Sequence, residues 1–122
     1  MTDPSFRATP GPTPAARATP ALPPALTYLL ARTVADSDHR ALLGRPPATA
    51  RLERLIHDAE RALDASGLGE DDVDAALRDI VEGLTWTCTT PEAYAAIIDA
   101  AMAVFASRTA ASNEAARQRR VG

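Results

Sequence analysis

From Thr90 to Arg120 the chain contains no glycine and a single proline, Pro91, placed where a helix begins. Tyr94, Ile97, Ile98, Ala101, Met102 and Phe105 recur there at helical spacing, and Arg117-Gln118-Arg119-Arg120 closes the run. The pattern predicts one amphipathic helix over residues 91–120, about 45 Å long at 1.5 Å per residue. Upstream segments are too short to cover that length. They are therefore expected to pack on its apolar first half. The second half, Thr109 to Ala116, consists of small residues with little apolar surface to bury, and is expected to project.

The opposite end is constrained by proline. Seven of the ten prolines precede residue 25. At that density the backbone is held extended, and it lacks the donors a helix or sheet requires. Residues 1–23 are read as a Pro/Ala/Thr-rich extended or disordered arm, and residues 24–120 as a helical domain. The arm repeats Arg7-Ala8-Thr9-Pro10 as Arg17-Ala18-Thr19-Pro20, and Pro20-Ala21-Leu22-Pro23 fits a PxxP pattern. Arg7, Arg17, Pro20 and Pro23 are its candidate partner-binding residues.

Between these ends three helices are expected, at about 24–43, 48–66 and 70–84. The first carries the stripe Leu22, Leu26, Leu29, Leu30, Val34 and stops at Gly44 before Pro46-Pro47. Its polar run Asp36-Ser37-Asp38-His39-Arg40 could break the helix into two and is read as solvated surface. The second, capped by Thr49, buries Leu52, Leu55, Ile56, Ala59, Ala62 and Leu63, and Gly67-Leu68-Gly69 ends it. The third buries Val73, Ala76, Leu77, Ile80, Val81 and Leu84. Gly83 to Thr89 reads as an extended linker that tucks Trp86 inside. The core is expected to draw on Leu, Ile and Val together with Tyr28, Trp86, Tyr94 and Phe105. The fold class is all-α, a small bundle of about four helices with a long C-terminal helix.

Composition removes several activities. All 13 basic residues are arginine, so a P-loop lysine, a Schiff-base amine and a lysine general base are excluded. The acids Glu70, Asp71, Asp72 and Asp74 follow Gly67-Leu68-Gly69 directly, which would repel phosphate but suits the positive end of a helix. An EF-hand starting at Asp64 would place Leu68 and Ala75 at ligand positions, and neither can bind calcium. A DNA-reading third helix is disfavoured because six acids stand on it against Arg78. The single cysteine, Cys88, excludes an internal disulfide, and no His/Cys spacing fits zinc. Cys88 is the one candidate nucleophile, through its closeness to the start of the last helix. No catalytic, cofactor-binding or metal-binding residue is assigned, and the protein is expected not to be an enzyme. No run of 18 apolar residues occurs and the N-terminus lacks the apolar core of a secretory signal, so no membrane span is expected and a bacterial cytoplasmic setting is.

Charge is distributed unevenly. Residues 48–106 hold four arginines against twelve acids, whereas residues 107–122 hold four arginines against Glu114 alone. An acidic body with a basic end suits partners met at separate surfaces, or ends that associate with bodies. Arg108, Arg117, Arg119 and Arg120 are the candidate partner-binding residues of this end. The sequence therefore points to a protein–protein interaction or assembly subunit of a larger bacterial or phage complex. The alternative is an accessory nucleic-acid-binding or regulatory protein using the same arginines on phosphate.

Overall fold

The structure is a computed structural model that describes residues 22–121. Four helices follow in order: α1 Pro24–Leu42, α2 Thr49–Ala65, α3 Glu70–Thr87 and α4 Pro91–Val121. There is no strand among the described residues, and the architecture is an all-α bundle. The arm up to residue 21, with Arg7, Arg17 and Pro20, lies outside the described residues.

Local signals account for the ends. Pro24 opens α1 with Pro23 in extended backbone before it. At the other end Gly44 takes φ +71. Its N–H reaches the Ala41 carbonyl at 3.0 Å and the Arg45 N–H reaches that of Arg40 at 2.8 Å, the paired bonds of a Schellman closure. Gly67, at φ 91, ends α2, and Leu68 packs back against the core. Glu70, Asp71 and Asp72 occupy the first turn of α3, where its macrodipole favours negative charge.

Polar contacts set the topology. At one end Asp38, late in α1, meets the α3–α4 connection, and Ser37 meets Ala48 at the start of α2. At the other, Arg108 of α4 meets Glu60 late in α2 and the Glu70 carbonyl at the start of α3. The helices thus run up, down, up and down. The parallel pair α2 and α4 share the most extensive interface. Alanine explains why. The face that α4 buries is Ala93, Ala96, Ile97, Ala100, Ala101 and Val104, and side chains this small allow two helix axes to approach closely. Leu52, Ile56, Ala59 and Leu63 of α2, Val73 and Leu77 of α3, and Leu30 and Val34 of α1 complete the core.

Three sequence expectations are corrected. First, Gly83 to Thr89 is not an extended linker: α3 continues through Gly83 to Thr87, and Trp86 is 80% exposed. Val81 and Leu84 take the inward positions of that last turn, and Trp86, two residues past Leu84, faces outward. The Thr85 and Thr87 hydroxyls donate to the carbonyls of Glu82 and Leu84, which supports a helical turn over a strand. Second, three of the four aromatics expected in the core, Tyr28, Trp86 and Tyr94, do not build it. Tyr28 and Tyr94 are exposed, whereas Phe105 is half-buried and packs against the core, with the Arg78 guanidinium 5.3 Å above its ring. Met102 and Leu29 are exposed as well. Third, the polar run of α1, which is one helix as expected, is not simply solvated surface.

Within that run Ser37 is fully buried and its hydroxyl accepts the Ala48 N–H at 3.0 Å, so α2 starts on a side chain of α1 and not on a Thr49 cap. The Asp38 carboxylate accepts the N–H groups of Thr89 and Thr90 and the Thr90 hydroxyl, while that hydroxyl oxygen accepts the Ala93 N–H. Thr90 is thus the N-terminal cap of α4, held by an acid 52 residues earlier. Burial of the Asp38 carboxyl raises its pKa, but the hydrogen bonds from Thr90 and Thr89 outweigh that and hold it below its ordinary value. A folded pKa below the unfolded ~3.9 gives stability that is present above about pH 4 and lost as pH falls through the folded value. Asp38→Ala is expected to cost about 1–2 kcal/mol at neutral pH, on the scale of a lost helix cap. It should also flatten the acid limb of a stability–pH curve. An unchanged acid limb would disprove the role.

Gly83 sits within α3 with nothing inside 4 Å of where a Cβ would stand. Glycine there costs backbone entropy without providing room for anything. Gly83→Ala should therefore raise stability by about 0.5–1 kcal/mol, measured as a higher urea midpoint at constant m. A lowered midpoint would show that the end of α3 needs its flexibility.

Candidate partner-binding surface

The surface begins where the bundle ends, at Arg108. Its side chain is only 10% exposed. Nη1 donates to Glu60 Oε2 at 2.8 Å, Nε lies 3.9 Å from Asp74 Oδ1, and Nη2 donates to the Glu70 carbonyl at 3.4 Å. Glu60 also lies 3.1 Å from His57 Nδ1. One arginine therefore clasps α2, α3 and α4 together. Arg108 belongs to the architecture, and its guanidinium is already engaged.

Beyond Arg108 nothing in the bundle covers α4. Residues 109–120 are exposed except for the half-buried Ala116, a projection of about 18 Å at 1.5 Å per residue. Arg117 pairs with Glu114 one turn back, and Gln118 reaches the same carboxylate. Among the described residues no ion pair holds Arg119 or Arg120. Between this projection and the α2–α3 turn lies an open cleft of about 380 Å³, lined by Glu60, Asp64 and Glu70 on one side and Ser112, Ala115 and Arg119 on the other. Of the sequence candidates, Pro23 is exposed just before α1, and Arg117, Arg119 and Arg120 share the projecting helix.

Sequence reasoning did not anticipate the apolar part of the surface. Tyr94 is 50% and Met102 64% exposed, with Ile98 half-buried between them. Tyr28, Leu29 and Trp86 are exposed on α1 and α3, and the Tyr28 hydroxyl accepts a hydrogen bond from Arg32. The signal was in the spacing: Ile97 and Ile98 are adjacent, so both cannot face the same helix.

The chemistry-bearing residues stay apart. Cys88 stands at the C-terminal cap of α3, the negative end of that helix, and its Sγ–H is directed to the Thr85 carbonyl at 3.2 Å. Among the described residues no group of three His, Cys, Asp or Glu side chains is placed to hold a metal ion. By length and composition α4 is long and apolar enough to cross a membrane. Its Ala/Ile/Val face, however, is buried against α1, α2 and α3, whose own apolar stripes would be stripped of cover if it left. No family model matches this chain, and no curated protein or solved structure matches it either.

Proposed function

We propose that this protein is a non-catalytic assembly subunit that contacts protein partners in a larger bacterial or phage complex through the distal half of α4, with the N-terminal arm as a second contact. The observation that carries this reading is the uncovered length of α4 beyond Arg108. A packed helix normally ends where its support ends, because unsupported helical residues lack the burial that stabilises most helices in proteins. Here about three further turns project, bearing Arg117, Arg119 and Arg120 opposite in charge to the acidic body.

Two truncations test the reading. Deleting residues 109–122 should leave thermal stability within about 1 kcal/mol of the full chain, since no core residue is removed. It should also abolish the complex isolated from the native host. Deleting residues 1–22 is expected to weaken that complex. If both truncated proteins still enter the complex, the reading is wrong.

The exposure of Arg119 and Arg120 also supports the alternative, phosphate binding. That reading requires salt-sensitive retention of duplex or single-stranded nucleic acid that is lost in the triple variant Arg117→Ala, Arg119→Ala, Arg120→Ala. The acidic body opposes it, because only the tip of α4 can approach phosphate without bringing acids along.

A further inference from the structure

On α4 a second apolar line accompanies the buried one. Ile98, Met102, Phe105, Thr109, Ser112 and Ala116 follow one another at intervals of four, three, four, three and four residues. That is the spacing of a heptad seam, which faces a partner helix. The buried face of the bundle runs instead through Ala93, Ile97, Ala100 and Val104, so this seam is not the one α2 uses. Tyr94 extends it upward. Met102 is exposed and Ile98 half-buried, Phe105 is half-buried between the core and the Arg78 guanidinium, and the distal members are small enough to let another helix come close. No acid lies on the seam; Glu92, Asp99 and Glu114 fall on other faces of α4.

We propose that a second copy of this chain covers this seam, with the two α4 helices antiparallel. The proposal rests on the assembly reading above and names one partner for the same helix. Charge selects both the partner and the direction. A parallel pair would stack Arg117, Arg119 and Arg120 on their own copies and align two macrodipoles. An antiparallel pair opposes the dipoles and carries each basic tip to the other copy's acidic body, where Glu82 and Glu92 are exposed. Pairing about Phe105 sets Tyr94 and Ile98 of one copy against the small residues Ala116 and Ser112 of the other, so large meets small on either side of a central Phe105 pair. The contact is isologous and closes on itself, which gives a dimer and not a filament.

The mass of the purified full chain tests this by sedimentation across a concentration series. The expected result is twice the 12.9 kDa chain mass, with dissociation promoted by salt. Met102→Glu, at an exposed site, and the double variant Arg119→Glu, Arg120→Glu should each weaken the dimer at least about tenfold while the helical circular dichroism stays intact. Direction is read by cross-linking in a Cys88→Ser background: Tyr94→Cys should join Ala116→Cys in mixed samples and should not join itself. A natively helical monomer at all concentrations up to about 100 µM overturns the inference, as do like-with-like cross-links. A monomer whose hetero-complex is still lost on deleting residues 109–122 would overturn the dimer alone. A monomer whose complex survives both that deletion and the deletion of residues 1–22 would overturn the assembly reading too.

Discussion

Arg108→Ala is expected to lower the unfolding free energy by about 2–4 kcal/mol, within the range for removing one partner of a mostly buried ion pair. Glu60, 17% exposed, would be left with its charge largely desolvated and only His57 beside it. The Glu70 carbonyl would lose a donor and α4 its tie to α3. Asp74 is more open, which keeps the figure below the upper limit for fully buried pairs. Urea denaturation reads the loss, and a double-mutant cycle with Glu60→Gln isolates the pairwise part. The surface pair Arg40–Asp36 serves as control, since an exposed i,i+4 pair contributes about 0.3–0.5 kcal/mol and is screened by salt. A loss from Arg108→Ala below about 0.5 kcal/mol would place it in that class and refute the clasp.

Ile97→Ala should cost about 2–5 kcal/mol, because it removes apolar volume at a fully buried point and leaves a cavity that the surrounding helices refill only in part. Trp86→Ala is the matched contrast. A core tryptophan would cost about 3–5 kcal/mol on truncation, whereas an indole 80% exposed on the last turn of α3 should cost less than about 0.5 kcal/mol. Fluorescence gives a second measure, since the emission of Trp86, the sole tryptophan, should be that of a solvated indole in the folded protein. If Trp86→Ala proved as damaging as Ile97→Ala, the last turn of α3 would instead turn its indole inward. Core packing and the Arg108 clasp are separate devices. Residues 97 and 108 are about 16 Å apart along α4, so their effects are expected to add.

The projecting part of α4 follows from what these devices leave out. Up to Arg108 each turn of the helix is held by side chains from α1, α2 or α3; after it, helix propensity and the Glu114–Arg117 pair do the holding. Alanine and arginine are strong helix formers, so the projection can persist without support, but it has little to gain by folding back on the bundle. A partner helix would supply the burial that the bundle does not.

Much of this was legible from the chain alone. The number and order of helices, their ends at Gly44 and Gly67, the acids that open α3 and the acidic body with its basic tip all follow from local rules. Caps, propensities and charge operate between neighbours, or between residues three and four apart, and so are written in consecutive letters. Tertiary structure alone decided which face of α4 turns inward. On a helix with alanine at 11 of its 31 positions the hydrophobic contrast between faces is weak, and close approach of α2 favoured the small side over Tyr94 and Met102. It also decided that Asp38 caps a helix 52 residues away and that Arg108 is a structural clasp, because a hydrogen bond across the fold depends on where two helices lie and not on either local sequence. The stretch from Thr90 to Arg120 was predicted as one helix with one apolar face. In the structure it carries two, one spent on the core and one still open.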